Sequence, residues 1–256
     1  MMKILVTNDD GIRAKGIAVL AKLLKPYGEI TVVAPREAQS GMSMAIPLGL
    51  DKKVVVSEPE IRDGIRWQWV DSTPDACVKF ALGDAFRGSK PDLILSGINH
   101  GANAATAACY SGTLGAAAEG AVNGIRAIGV SLDSWHPDAD FSAVETLFPA
   151  IFEKLLTRCS SLDPLCGIYY NVNFPDLPVG QIKGIVACNM GLVHWADEYV
   201  RNEDGTYHLE GYLSDYPVNA PDADHKRLEE GYVTIVPHCI DTTDYAEREE
   251  LKKLFP

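Results

Sequence analysis

The stretch Lys3–Gly11 reads KILVTNDDG and places a short apolar run, two adjacent carboxylates and a glycine almost at the N-terminus. The apolar run predicts a buried β-strand, and the polar residues after it predict a turn. In an open parallel sheet, ligands bind at the carboxyl ends of the strands. Two neighbouring carboxylates at such a position are most easily kept ionised by a bound cation. The alternative is an ordinary turn with two solvated aspartates, because Asn, Asp and Gly are common turn residues.

Strand-like runs alternate with helix-length amphipathic runs through the first two-thirds of the chain. The predicted strands lie at 3–8, 30–34, 92–96, 127–132 and 168–173, and the predicted helices at 17–25, 74–82, 114–123 and 141–158. Two further alternating runs, at 53–56 and 66–70, predict a hairpin insertion. Strands that alternate with helices in this way predict an α/β fold with a doubly wound, mostly parallel sheet.

The alternation of strands and helices breaks after residue 175. Residues 176–224 are rich in Gly, Pro, Asp, Tyr and Trp, and a strand at 232–237 and a charged helix at 245–255 follow. We therefore predict an α/β core over residues 1–175 and an irregular β-rich extension with a C-terminal helix over residues 176–256. Aromatic residues are enriched at protein interfaces, so the extension is predicted to mediate subunit contacts. The aromatic residues concerned are Trp195, Tyr199, Tyr207, Tyr212 and Tyr216. The alternative is that these rings pack within one chain on the sheet edge.

Composition and charge narrow the class of protein. The chain has 256 residues, of which 46% are hydrophobic and 23% charged, a balance typical of globular proteins. Its formal net charge of −12 argues against binding to polymeric nucleic acid, which relies on clustered Lys and Arg. No signal peptide and no membrane-length apolar run is visible, and the six cysteines include no C-x-x-C pair. We therefore expect a cytoplasmic protein with reduced, mostly buried thiols and without a membrane partner.

Three more loops follow predicted strands or precede a predicted helix. The loop 34–43 contains Ser40, the loop 96–103 contains Asn99, and the run 110–113 precedes an alanine-rich helix. Hydroxyl and amide oxygens are, with carboxylates, the hard ligands that Mg²⁺ and Mn²⁺ prefer. Free backbone N–H groups at a helix N-terminus suit a phosphate, and the alternative for that run is an ordinary Ser/Thr helix cap.

Several motifs together resemble one known family. They are Thr7–Gly11, Val33–Pro35, Ser40-Gly41, Ser96–Asn99, Tyr110–Thr113, Asn171–Pro175 and Gly231–Ile235. In order and spacing these motifs resemble the SurE family of survival-protein nucleotidases over nearly the whole chain. The resemblance implies a Rossmann-like three-layer core and a dimer or tetramer with an exchanged C-terminal segment. It also implies a metal-dependent phosphomonoesterase that hydrolyses nucleoside 5′- and 3′-monophosphates to nucleoside and phosphate.

By the same resemblance, the metal ligands would be Asp9, Asp10, Ser40 and Asn99, which would hold one Mg²⁺ or Mn²⁺ per subunit. Of these four residues, Asp9, Asp10 and Asn99 are the predicted catalytic residues. A metal held there would activate a water molecule for attack on phosphorus. The remaining phosphate oxygens are predicted to bind Ser111, Gly112 and Thr113.

The chain departs from the SurE pattern between Asn103 and Tyr110. The family usually has a glycine and one or two acidic residues there, whereas this stretch reads AATAAC. The departure leaves open an alternative, a nucleotide-binding regulatory protein whose catalysis is impaired. A dinucleotide oxidoreductase is disfavoured, because the first turn lacks G-x-G-x-x-G. His100 adjoins the site in sequence, but a lone histidine is more often a packing residue, so it is left out of the catalytic set.

Overall fold

The computed structural model of the protein describes residues 1–255, and it describes all side chains in this range except those of Pro164, Trp195, Asp197, Glu198 and Leu213. The last residue of the predicted extension, Pro256, and the side chain of Trp195 therefore lie outside the described part of the chain. In chain order, the strands and α-helices are β1 (Met2–Thr7), α1 (Lys15–Leu24), β2 (Gly28–Pro35), β3 (Glu60–Arg62), β4 (Ile65–Val70), α2 (Pro74–Gly83), β5 (Leu93–His100), α3 (Gly112–Val122), β6 (Arg126–Asp133), α4 (Ser142–Ser160), β7 (Ile168–Pro175), β8 (Gly184–Ala187), β9 (Val193–Arg201), β10 (Tyr207–Asp215), α5 (Asp224–Glu229), β11 (Tyr232–Cys239) and α6 (Tyr245–Leu254).

The main sheet has nine strands in the order β3-β4-β2-β1-β5-β6-β7-β11-β8. Strand β1 lies inside the sheet and pairs in parallel with β2 and β5. Its side chains alternate between two buried layers: Ile4 and Val6 pack in the cluster that also holds residues of α1 and α4, and Leu5 packs in the cluster with residues of α2 and α3. Helices thus cover both faces of a mostly parallel sheet, and the predicted three-layer α/β fold is confirmed.

The predicted hairpin insertion is wrong in its pairing. Residues 66–70 belong to β4, which pairs in parallel with β2 and so joins the main sheet. The antiparallel partner of β4 is β3, whereas residues 53–56 contribute only an isolated bridge from Val56 to Val70. The physical reason is burial: Trp67 and Val70 lie in the core, which an exposed insertion would not provide.

The main sheet also continues past residue 175. Strand β11 pairs antiparallel with β7 and in parallel with β8, and it buries Val233, Thr234 and Val236. Only β9 and β10 form a separate two-stranded antiparallel sheet, here called the β9–β10 hairpin. The residues predicted as an extension therefore contribute an inner strand (β11) and an edge strand (β8) to the main sheet, and one hairpin beyond it.

The six cysteines are free thiols, as expected. However, Cys109, Cys166 and Cys239 are exposed, so half of the thiols rather than most of them are buried. Among residues 1–255, no helix is both long enough and apolar enough to cross a membrane.

The segment that departs from the SurE pattern forms a short 3₁₀ helix over Ala105–Cys109. Ala105 begins this helix with a φ of 51°, in the left-handed region that favours glycine. Its backbone N–H donates to Oδ2 of Asp224 at 2.9 Å. The same fully buried carboxylate accepts, at Oδ1, from the backbone N–H groups of Gly191 and His225, both at 2.9 Å. Asp224 therefore joins this segment to the chain that leads into the β9–β10 hairpin.

The left-handed conformation of Ala105 leads to a stability prediction. A non-glycine residue in this conformation costs about 1–2 kcal/mol. Replacing Ala105 with glycine removes this cost, but glycine also loses more conformational entropy on folding. Ala104→Gly is a matched control, because Ala104 has a φ of −89° and incurs only the entropy loss. We expect the free energy of unfolding of Ala105→Gly to exceed that of Ala104→Gly by about 1–2 kcal/mol in urea titrations. Equal destabilisation by the two substitutions would contradict the strain at Ala105.

Candidate functional site

A cavity of about 680 Å³ opens at the carboxyl ends of the central strands. One end of it is lined by residues that follow β1 and β2, by the end of β5 and by the residue preceding α3. The other end is lined by the residues after β6, by α5 and by the β9–β10 hairpin. The cavity therefore lies where ligands bind in open α/β sheets, and the predicted residues Asp9, Ser40, Asn99 and Ser111 all line it.

Asp9 is buried and held by two hydrogen bonds. Its side chain is only 4% exposed, and Thr113 donates to both of its carboxylate oxygens, from Oγ1 at 2.6 Å and from the backbone N–H at 3.1 Å. Helix α3 also approaches closely here, because a Cβ at Gly112 would lie 2.9 Å from the Cβ of Asp9. The N-terminus of α3 thus holds Asp9 in one orientation.

The pKa of Asp9 is raised to about 6. Burial is the main cause and the negative charge of Asp10 adds to it, while the hydrogen bonds from Thr113 act in the opposite direction. The charged form of Asp9 is therefore costly in this environment unless a positive charge compensates it. A divalent cation would supply that charge. The environment of Asp9 thus fits the metal that the SurE resemblance implies.

Asp10 faces a different neighbour. Its Oδ2 accepts from the backbone N–H of His100 at 3.0 Å and lies 3.2 Å from Nδ1 of the same residue. The His100 ring packs edge-on against Phe141, with 5.3 Å between the ring centroids, and also lines the cavity. His100 was left out of the predicted set, yet it is the residue that positions Asp10. The one feature of the sequence that pointed to His100 was its position directly after Asn99.

Asn99 and Ser40 complete the predicted ligand set. The Asn99 Nδ2 donates to the carbonyl of Gly101 at 2.7 Å, which fixes the orientation of the amide. Ser40 is exposed and lines the same cavity. Among the side chains that the structure describes, no group of three or more His, Cys, Asp or Glu residues is placed to hold a metal. The predicted ligand set has only two carboxylates and relies otherwise on a hydroxyl and an amide, all of them hard oxygen donors suited to Mg²⁺ or Mn²⁺.

A network of buried amides holds the loop after Asn99. The Asn103 backbone N–H donates to Oδ1 of Asn173 at 2.8 Å, and its Nδ2 donates to the Ser131 hydroxyl at 2.9 Å. The Asn171 amide donates in turn to the Asn103 carbonyl at 2.8 Å. The motif Asn171–Pro175 therefore supports the cavity wall from β7, two strands away from β5 in the sheet. Buried networks of this kind are rigid when their members are satisfied.

The predicted phosphate-binding run begins with a helix cap. The Ser111 hydroxyl accepts from the backbone N–H of Leu114 at 3.1 Å and caps α3, which is the alternative stated for this run. Ser111 also lines the cavity, whereas both donors of Thr113 contact Asp9. Phosphate binding by Ser111, Gly112 and Thr113 stays a prediction, and the structure adds a second role for Thr113, that of positioning Asp9.

The chain is similar in sequence to proteins of one known family. The sequence profile of the family described as "Survival protein SurE" matches residues 4–197. A protein of Bacteroides thetaiotaomicron named 5′-nucleotidase SurE is 40% identical over 252 residues, which cover 97% of this chain and 94% of the relative. A protein of the same name from Christiangramia forsetii is 38% identical, covering 94% of this chain and 92% of the relative.

A solved structure agrees with these sequence matches. The crystal structure of the SurE protein from Aquifex aeolicus superposes with a TM-score of 0.80 at 28% identity, covering 99% of this chain and 100% of that one. Sequence and fold therefore match along nearly the full length of the relatives, and the chain belongs to the SurE family.

Proposed function

We propose that the protein is a divalent-metal-dependent phosphomonoesterase that hydrolyses nucleoside 5′- and 3′-monophosphates. This proposal rests mainly on Asp9. Its carboxylate is buried beside the N-terminus of α3, accepts two hydrogen bonds from Thr113 and lies in one cavity with Ser40 and Asn99. The relatives' name, 5′-nucleotidase SurE, supports the choice of substrate.

Asp9, Asp10, Ser40 and Asn99 would hold one Mg²⁺ or Mn²⁺ per subunit. When bound, such an ion polarises a phosphoryl oxygen and lowers the pKa of a bound water. Other residues of the chain hold the two carboxylates in position. Thr113 fixes both oxygens of Asp9, and His100 fixes Oδ2 of Asp10. Phosphoryl transfer depends mainly on positioning and charge neutralisation, so these fixed carboxylates are central to the rate.

The start of α3 provides the place for the phosphate. The positive end of a helix dipole favours an anion, and α3 has eleven residues. Ser111 lines the cavity at this point and Gly112 brings the helix against Asp9. A phosphate bound here would therefore lie beside the proposed metal ligands.

The cavity favours a small substrate over a polymer. Its volume of about 680 Å³ is within the range of small-molecule sites. Its far end carries the carboxylates Asp133, Asp215 and Glu229, which would repel further phosphate groups. Together with the net charge of −12, this arrangement supports a nucleoside monophosphate and not a polynucleotide as the ligand.

The proposed activity predicts a metal-dependent release of phosphate. We expect the purified protein to release phosphate from a panel of nucleoside monophosphates when Mg²⁺ or Mn²⁺ is added, and to lose most of this activity after metal chelation. Asp9→Asn should abolish most of the activity while leaving the fold intact, because it removes charge but little volume. Asp138→Asn, at an exposed aspartate that does not line the cavity, is the matched control.

Full activity in a correctly folded Asp9→Asn protein would exclude Asp9 as a ligand. Binding of nucleotides without any steady-state phosphate release would instead support the alternative, a regulatory protein whose altered 104–109 loop has lost turnover.

Substitutions of Thr113 test whether its hydrogen bonds position Asp9 for catalysis. Thr113→Ala removes the hydroxyl that donates at 2.6 Å to Asp9 Oδ1. Fixed donors at catalytic sites are typically worth about 2–4 kcal/mol, so turnover should fall by roughly one to three orders of magnitude. Thr113→Ser keeps the hydroxyl and should retain most of the turnover in steady-state kinetics. An Ala variant as active as wild type would leave Thr113 with only a structural role in the first turn of α3.

We also propose that the protein assembles as a homodimer or homotetramer through the β9–β10 hairpin and α6. A two-stranded hairpin is only marginally stable without further packing. This hairpin exposes several large apolar side chains, namely those of Tyr199, Val200, Tyr207, Leu209 and Tyr212. A second copy of the chain would cover them.

Light scattering tests the assembly. At micromolar concentration we expect a mass at least twice the 27.8 kDa of the chain. Tyr212→Glu should weaken the assembly. Ile61→Glu should not, although both side chains are 69% exposed, because Ile61 lies on the edge strand β3 and not on the hairpin. A wild-type mass near that of one chain would refute the proposal.

A further inference from the structure

The far end of the cavity contains an exposed tryptophan that neither the proposed metal site nor the fold requires. Trp135 lies two residues after β6, lines the cavity and is 75% exposed. Large aromatic side chains are usually at least partly buried, because their exposure to water is unfavourable. The ring therefore needs an explanation from what it contacts.

One face of the Trp135 ring rests on Gly101. A Cβ built on Gly101 would lie 2.7 Å from Cζ2 and 2.8 Å from both Cε2 and Cη2 of the indole. Three consecutive ring atoms at nearly equal distances mean that the Cβ would approach the face of the ring and not its edge. Gly101 also has a φ of +96°, and its N–H donates to the carbonyl of Leu132 at 2.8 Å. Any other residue at position 101 would displace the indole.

The position of the ring suits a ligand held at the other end of the cavity. Sheet order runs β1-β5-β6, so the segment after β6 is two strand spacings, about 10 Å, from the segment that carries Asp9. Gly101 follows Asn99 by two residues, and thus the support of the ring and a proposed metal ligand belong to one loop. A ligand whose phosphate lies beside Asp9 would extend toward the indole.

We propose that Trp135 is a stacking platform for the nucleobase of the substrate, a role that rests on the proposed nucleotidase function. One face of the indole is fixed by Gly101, and the exposed remainder of the ring borders the cavity. Every nucleobase has a flat π-face, so a single aromatic ring binds purines and pyrimidines alike. Trp135 is therefore a determinant of substrate binding and takes no part in the chemical step.

The chemistry of the surrounding residues agrees with a neutral, planar ligand part. Apolar side chains of Val193, Leu209 and Leu228 line the same end, and the carboxylates Asp133 and Glu229 accept hydrogen bonds but disfavour anions. A base and its ribose provide N–H and O–H donors for such acceptors. A second phosphate group would not be accommodated in this position.

A comparison of substrates with and without a base tests the platform. Ribose 5-phosphate has the phosphate and sugar of a nucleoside 5′-monophosphate but no base. For Trp135→Ala we expect the KM for nucleoside monophosphates to rise about 5- to 100-fold with little change in kcat, and the KM for ribose 5-phosphate to stay unchanged. Trp135→Phe keeps a smaller ring and should give an intermediate KM. Phe255→Ala is the matched control, because Phe255 is 74% exposed and does not line the cavity.

Titration with adenosine provides a second readout that needs neither metal nor turnover. A base stacked on Trp135 should quench tryptophan emission in the wild type, and Trp135→Phe should lose this quenching. A KM that rises equally for both substrates, or quenching that persists in Trp135→Phe, would overturn the platform. A wild type that releases no phosphate yet shows quenching that depends on Trp135 would refute the proposed function and keep the platform.

Discussion

The cavity depends on one contact, that between the carboxylate of Asp9 and the first turn of α3. Asp9 lies in the turn after the central strand β1, and Thr113 lies in the first turn of α3, 104 residues later in the sequence. Two hydrogen bonds and the absent side chain of Gly112 bring them together. This contact buries a carboxylate beside the N-terminus of a helix, and both the proposed metal site and the proposed phosphate site depend on it.

Local patterns in the sequence predicted the parts of the fold that are decided locally. The run Lys3–Gly11 predicted β1 and the carboxylates after it, since apolar periodicity and turn residues act over a few positions. The membership of β4 and β11 in the main sheet could not be predicted in this way. Their pairing with β2 and with β7 depends on long-range contacts, which short alternating runs do not encode.

In the candidate site too, the sequence predicted residues but not their long-range contacts. The SurE motifs predicted Asp9, Ser40 and Asn99, and the structure places them around one cavity. They did not predict that Thr113 binds Asp9 or that His100 binds Asp10, because a motif gives the type of a residue and not its partner. Trp135 had no signal of its own in the sequence. The sequence indicates it only indirectly, through Gly101, because a side chain at that position would collide with the indole.

The fully buried carboxylate of Asp224 has a consequence for how ligands enter and leave. It accepts from Ala105 on the core side of the cavity and from Gly191 on the side of the hairpin. Any opening that separates these two walls would break one of the bonds and leave a buried charge short of a donor, at a cost of roughly 1–3 kcal/mol or more. The walls therefore move as a single unit near Asp224. Ligands can instead exchange past lining residues that are already exposed to solvent, among them Ser40, Leu209 and Trp135.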